Sequence, residues 1–318
     1  MPAGKLLTFA EGKFDGIIEI QNYPKSTKLN SNSNKFFSVF EVRKNPQKIF
    51  LITSVEGRIP VTKWRIWVNQ FSLTKEFKPN FDIQYNNKNY AIILYDITPV
   101  AREGKNELVI EYSGSTFLDI DNVSVISFYP VENFTTIYKL NIGNLLLKSS
   151  EVISFESLGK NLLLLRNPNN SKVLIKLNSN QIYKYEGPLD NEEIELDGKG
   201  ELVILHEGES KNPLSITSFH TMEVNEPRMD IVIEGNYDSK SLRFSILNNG
   251  EINFDKIIIN VMANGITYLY KICTDFKAGY KESFEVPIKI KKGVISIRVV
   301  GIKASIRKVI QKQIFLEN

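Results

Sequence analysis

Cys273 is the only cysteine in 318 residues, which excludes a disulfide framework and a cysteine-based zinc centre and leaves burial as the source of stability. Histidine is nearly as scarce. His206 and His220 are the only two, so imidazole catalysis has little material to work with. No window approaches 18 consecutive apolar residues, and no membrane-spanning helix is expected. The opening Met1-Pro-Ala-Gly-Lys-Leu-Leu-Thr-Phe-Ala-Glu11 is too short and too soon charged for a signal-peptide core. A cytoplasmic protein is the default expectation, with a cell surface or a virion as open alternatives. Also missing are a Gly-rich strand-to-helix turn and any Gly-Lys-Ser/Thr, so neither a nucleotide nor another cofactor is expected. Neither sign of charge dominates: 40 basic against 36 acidic residues leave a net +4, and lysine outnumbers arginine 31 to 9. That pattern argues against bidentate phosphate or base readout, and hence against a nucleic-acid partner.

What is present is an ordinary globular composition, 42% apolar and 24% charged, in short β-branched and aromatic runs with a period near 2. The expected fold class is all-β: tandem jelly-roll-like β-sandwiches followed by an immunoglobulin-like sandwich. Strands are expected over 48–53, 63–69, 90–95, 107–112, 123–129, 161–166, 172–178, 201–206 and 214–220. The chain also repeats itself. Gly104-Lys-Asn-Glu-Leu-Val-Ile110 matches Gly198-Lys-Gly-Glu-Leu-Val-Ile204, Arg65-Ile-Trp-Val-Asn69 matches Leu174-Ile-Lys-Leu-Asn178, and Val123–Phe128 is set against Leu214–Phe219. Three blocks in the same order predict a duplicated module, residues 1–130 and 131–226. From 227 to 318 the pattern becomes seven short strands punctuated by turns such as Asn248-Asn-Gly250 and Asn264-Gly265, the hairpin signal of an immunoglobulin-like sandwich.

The run Trp64-Arg-Ile-Trp-Val-Asn69, Tyr95-Asp-Ile-Thr98 and Gly104-Lys-Asn-Glu-Leu-Val-Ile110 resembles the galactose-binding-like jelly roll, including the sugar-binding domains that precede some glycosidase barrels. It departs from that pattern at Gln70, where glycine is usual. The last 90 or so residues resemble the CARDB type of immunoglobulin-like domain through Leu247-Asn-Asn-Gly250 and Lys277-Ala-Gly279. The resemblances imply a binding module and an adhesion, spacing or assembly module; neither brings a catalytic residue with it.

Candidate chemistry is sparse. A Ser-His hydrolase would need His206 or His220, yet alternation puts His206 on an inward face, His220 is expected to end its strand, and no Gly-x-Ser-x-Gly elbow exists. Carboxylate pairs of the glycosidase kind could come from Asp119 with Asp121 or Glu192 with Glu193, both expected in loops. Asp119-Ile-Asp-Asn122 also offers oxygen ligands to a hard cation, but lacks an EF-hand glycine and distal glutamate, and no metal site is assigned. The most informative side chain is Trp67. Alternation sends Trp64, Ile66 and Val68 to the core and Trp67 outward beside Arg65 and Asn69, where the indole could stack on a sugar and its neighbours supply hydrogen bonds. Packing beneath the long Phe71–Asn89 loop or against a neighbouring domain is the competing account. The expectation is therefore a non-catalytic binding protein with Trp67, Arg65 and Asn69 as ligand-binding residues and carbohydrate or protein as partner. A structural assembly protein joined through edge strands as a homo-oligomer is the first alternative, and a glycoside-acting hydrolase with loop carboxylates the second.

Overall fold

The computed structural model describes residues 2–23, 25–57, 63–73, 79–304 and 306–316, and every regular element in them is a β-strand. All strand pairs are antiparallel, as expected of an all-β sandwich protein. The chain divides into two compact units, Met1–Asn225 and Glu226–Asn318.

The first unit begins with β1 (Ala3–Phe14), β2 (Gly16–Tyr23), β3 (Thr27–Leu29), β4 (Lys35–Val42), β5 (Lys48–Gly57), β6 (Trp64–Val68), β7 (Phe71–Ser72), β8 (Phe81–Tyr85), β9 (Lys88–Asp96), β10 (Gly104–Tyr112) and β11 (Leu118–Pro130). Strands β4-β10-β6-β7 make a four-stranded sheet, and β2-β11-β5-β9-β8, with β3 beside β11, make a six-stranded one. Alternation closes them into a sandwich: Trp64, Ile66, Val68, Leu108 and Ile110 on one side meet Leu51, Val55, Ile93, Val123 and Val125 on the other. Ile66 and Ile110 are fully buried there, each worth roughly 1.5–3 kcal/mol relative to exposure.

The same unit continues with β12 (Thr135–Leu147), β13 (Val152–Asn167), β14 (Lys172–Leu177), β15 (Asn180–Glu186), β16 (Leu189–Glu207) and β17 (Leu214–Asn225). They form one seven-stranded sheet, β1-β12-β17-β13-β16-β14-β15, whose edge is the N-terminal strand of the chain. Leu145, Leu163, Ile175, Ile204 and Ile216, from five different strands, share one core, so this sheet curls over on itself. A further apolar cluster joins the two modules: Ile52, Ile92, Ile126 and Phe128 of the six-stranded sheet pack with Leu140 and Ile142 of β12 and with Phe9 and Phe14 of β1. The six-stranded sheet is thus covered on both faces, and β11 is buried almost end to end.

Register shows that the modules are the same construction. In the first, Val68, Trp67 and Ile66 lie opposite Leu108, Val109 and Ile110; in the second, Leu177, Lys176 and Ile175 lie opposite Leu202, Val203 and Ile204. The first module uses four strands, β4 and β5, β9 and β10, where the second uses two long bent ones, β13 and β16. Both carry a register shift at the same point, between Ile120 and Asn122 in one and between Leu164 and Leu165 in the other. That bulge moves the third repeated block: Leu118-Asp-Ile-Asp-Asn-Val123, rather than Val123–Phe128, is the counterpart of Leu214-Ser-Ile-Thr-Ser-Phe219.

The second unit contains β18 (Ile231–Tyr237), β19 (Ser241–Asn248), β20 (Phe254–Ala263), β21 (Ile266–Phe276), β22 (Lys281–Pro287), β23 (Gly293–Lys303) and β24 (Ile306–Leu316). They form a three-stranded sheet, β18-β19-β22, and a four-stranded sheet, β21-β20-β23-β24, around Leu242, Phe244, Ile257, Ile259, Ile297 and Val299. Seven strands split three on four give an immunoglobulin-like sandwich. Asn264 and Gly265 both have positive φ, +50° and +83°, as a two-residue type I′ hairpin requires.

Candidate functional site

The outward face of the four-stranded sheet is an ordered grid. Pairing sets Phe37 beside Val109 and Val109 beside Trp67, so one aromatic–aliphatic row runs across β4, β10 and β6. Adjacent strands lie ~4.8 Å apart, close enough for these side chains to form one continuous apolar strip about one sugar ring wide. Phe37 is 61% exposed and Val39, next along β4, is 40% exposed. Trp67 is half-buried, with its indole N–H out of contact with solvent and without an acceptor among the described residues. A charged row borders the strip on one side, Lys35, Glu111 and Arg65, where Lys35 Nζ is 2.7 Å from Glu111; the row on the other side sets Glu107 beside Val39. Arg65 is exposed and makes no ion pair among the described residues. The segment 71–89, expected as a loop, holds β7, β8 and the start of β9, and its residues 74–78 lie outside the described residues.

Asn69 has a different job. With Gln70 it makes the β6–β7 hairpin, both at positive φ (+49° and +69°), so Gln70 adopts the conformation for which glycine is usual. The Asn69 side chain accepts from the Glu107 N–H at 3.0 Å and donates to Asn106 Oδ1 at 2.7 Å and to the Val100 carbonyl at 3.0 Å. Its polar atoms are occupied by the fold. Asn178 repeats this in the second module, at φ +50°, accepting from the Glu201 N–H at 3.0 Å. Where the first module has the fully buried Asn106 the second has Gly200, and a Cβ there would sit 1.8 Å from Asn178 Oδ1.

The other candidates separate in space. Asp119 and Asp121 are in β11, and Glu192 and Glu193 in β16, all in strands rather than loops, because both strands begin earlier than their apolar runs suggest. Asp121 occupies the bulge and is buried; burial pushes its carboxyl up to about 7 despite Arg166, whose guanidinium is 2.8 Å away. Arg166 also faces Glu56 at 3.7 Å, Lys88 binds Glu56 at 2.6 Å, and the Asn191 side chain donates to the Asp121 carbonyl. These groups, with Tyr90, line a cavity of about 90 Å³ where the two modules meet, room for a few waters and too small for a sugar. Arg166 stands where a cation bound by Asp121 would sit. No group of three or more His, Cys, Asp or Glu side chains among the described residues is placed to hold a metal ion.

Both histidines are fully buried. His206 is held between Ser171 Oγ at 2.7 Å and the Leu147 carbonyl at 3.0 Å, and Ser171 is itself bonded to Asn167. This pins the β13–β14 turn from inside the core, out of reach of a substrate. His220 lies mid-strand in β17, which runs on to Asn225, instead of ending it. Neither of its ring nitrogens has a partner among the described residues, and burial pushes its pKa down to about 3.

Sequence reasoning put Trp67 and Arg65 on the outward face but did not single out Phe37 and Val39, which share that face. The only local signal was the doublet Phe36-Phe37; their place beside Trp67 depends on pairing with β10, far along the chain.

No family model and no curated protein matches the chain. Solved structures do, at a distance. A protein assigned as a β-galactosidase from Bacteroides fragilis shares 11% identity at a TM-score of 0.25, with 60% of this chain and 33% of that one covered. A β-glucuronidase from Parabacteroides merdae shares 10% at 0.25 over 59% and 29%, and one from Ruminococcus gnavus 10% at 0.23 over 55% and 36%. The chain spans about a third of the length of these proteins. The likeness is to β-sandwich regions of glycosidase structures. Among the described residues no helix is long and apolar enough to cross a membrane.

Proposed function

We propose that this chain is a non-catalytic β-sandwich protein that binds carbohydrate or a glycoconjugate on the outer face of its first module. Phe37 and Trp67 stack on a sugar ring and Arg65 donates to its hydroxyls. One observation carries the reading. At the positions of Phe37, Val39 and Trp67 the duplicated module has Ser154, Glu156 and Lys176 in the same register, so the fold has no need of an aromatic row there. A narrow apolar strip with Lys35, Glu111 and Arg65 along one side and Glu107 on the other suits a sugar, whose ring has an apolar face and a hydroxylated rim. The galactose-binding-like and CARDB resemblances of the sequence belong to this proposal and agree with it. The absence of catalysis is supported by where the reactive groups sit: both histidines inside cores, and Asp121 bound to Arg166 beside a cavity of water size.

The test is a glycan array followed by titration calorimetry on the wild type, Phe37→Ala, Trp67→Ala and Arg65→Ala. Phe37→Ala, at a position 61% exposed, should fold normally and weaken binding about tenfold or more, as loss of ~1.4 kcal/mol or more of stacking would. Undiminished affinity in the Phe37→Ala/Trp67→Ala double variant removes this face from consideration.

A further inference from the structure

Beside the aromatic strip, charge on the outer face of the first module is arranged but not balanced. Across β4, β10 and β6 the row reads Lys35, Glu111, Arg65. Glu111 lies between the two cations and is taken by Lys35, on the side away from Arg65, at 2.7 Å. Arg65 has no ion pair among the described residues, and neither has Lys63, two residues earlier and equally exposed. Alternation sends both side chains outward, ~7 Å apart and in line with Trp67. Lys35, Arg65 and Lys63 against Glu111 leave this end of the strip positive.

The second module separates what the fold needs from what it does not. Its row in the same register is Val152, Leu205 and Leu174, apolar throughout, so the sandwich does not call for charge there. Lys63 has a counterpart in Lys172, but that lysine faces Glu186 at 3.6 Å. At the other end of the strip the copies agree. Glu107 and its counterpart Glu201 each donate a backbone N–H to the hairpin asparagine, Asn69 or Asn178. The row that the first copy alone carries is therefore Lys35-Glu111-Arg65, and the group it leaves without a partner is a guanidinium.

We propose that the sugar bound on this face carries a carboxylate, which Arg65 holds by two parallel N–H···O bonds while the ring lies on Trp67 and Phe37. This rests on the binding face proposed above and names its ligand class as acidic sugars. Guanidinium and carboxylate are planar forks that match one another, a fit that an ammonium does not make. The remaining N–H groups of Arg65 stay on the ring hydroxyls. Trp67 and Arg65 stand ~7 Å apart along β6, a span that a stacked ring and a carboxylate attached outside it cover together. Lys63 adds attraction without fixed geometry, and Glu111 opposes it from the neighbouring strand, restrained by Lys35.

On a glycan array the strongest ligands of the full chain should carry a carboxylate. Titration calorimetry then compares trigalacturonic acid with its methyl ester, which keeps the rings and loses the charge, and sialyllactose with lactose. The acid of at least one pair should bind about tenfold or more tighter than its neutral partner, and raising salt from about 50 to about 500 mM should narrow that gap. Arg65→Lys, which keeps the charge and loses the fork, should remove most of the preference. Glu111→Gln should strengthen acid binding and leave the neutral sugar unchanged, with thermal melts verifying that both variants are folded. Array ligands confined to neutral glycans, or a preference for the acid that survives Arg65→Lys intact, overturn the acidic ligand and leave the face a sugar site. Binding of the acid that is undiminished in Phe37→Ala/Trp67→Ala, or no glycan bound at all, overturns the reading beneath it.

Discussion

The two modules of the first unit share registers, a bulge and a hairpin clamp, yet differ at three places that the shared fold leaves free. The outward row is aromatic in one and polar in the other. The bulge holds Asp121 in one and Thr217 in the other. The strand position next to the joint between modules is Ser124 in one and, in the other, His220, whose ring has no partner among the described residues. The duplication thus works as an internal control: what both copies keep is needed to build the sandwich, and what one copy alone carries needs another reason. Asn69 and Asn178 fall in the first group, Phe37 and Trp67 in the second.

That comparison breaks most visibly in the cores. Ile66→Ala and Ile175→Ala remove equivalent, fully buried side chains and should each cost about 2–5 kcal/mol in urea unfolding, within roughly 1–2 kcal/mol of one another. A mild loss in one and a collapse in the other would show that the cores are not equivalent.

Next come the two titrating groups at the joint. Asp121 sits near pKa 7 in the fold against about 3.9 unfolded, so the fold binds the extra proton and stability falls as pH rises from about 4 to about 7. Asp121→Asn should flatten that slope, worth up to a few kcal/mol. His220 has the opposite sign. Its pKa is about 3 in the fold against about 6.5 unfolded, so stability falls as pH drops from about 6.5 toward about 3. His220→Leu should remove that acid limb and raise stability at neutral pH by about 1–3 kcal/mol, because two buried unpaired nitrogens disappear. Denaturation midpoints across pH 4–8 check both, and unchanged slopes in the two variants would contradict the assignments. The smallest effect on stability belongs to giving the first module the second module's surface. Phe37→Ser with Trp67→Lys should change the unfolding free energy by about 1–2 kcal/mol, Trp67 being half-buried, while abolishing the proposed sugar binding.

How far the sequence disclosed this structure varies along the chain for physical reasons. The C-terminal strands were legible because Asn-Gly pairs and lysine-rich turns separate them cleanly. The bent strands β13 and β16 were not: the expected strands 161–166 and 201–206 are only their C-terminal parts, and Gly159, Gly198 and Gly200 interrupt the apolar runs where each strand passes from one part of the sheet to another. β1 is half-exposed with a register shift near Thr8, and its partner β12 lies beyond the whole first module; nothing local announces such a strand. At the candidate site, alternation alone put Trp67 outward and Trp64 in the core. The commitment of Asn69 to the fold was invisible, because its partners Val100, Asn106 and Glu107 arrive only with β10 and the turn before it. The third repeated block slipped in sequence because matching Ser-Phe endings outweighed a bulge that only pairing reveals.

Since Trp64 and Trp67 are the only tryptophans, a ¹⁵N-labelled sample gives two indole N–H resonances, one from the core and one from the outward face. Titrating in the strongest glycan from the array should shift the Trp67 indole along a saturable curve and leave the Trp64 indole in place. A glycan that saturates the protein while the Trp67 signal stays fixed would contradict the account of this face as the binding site.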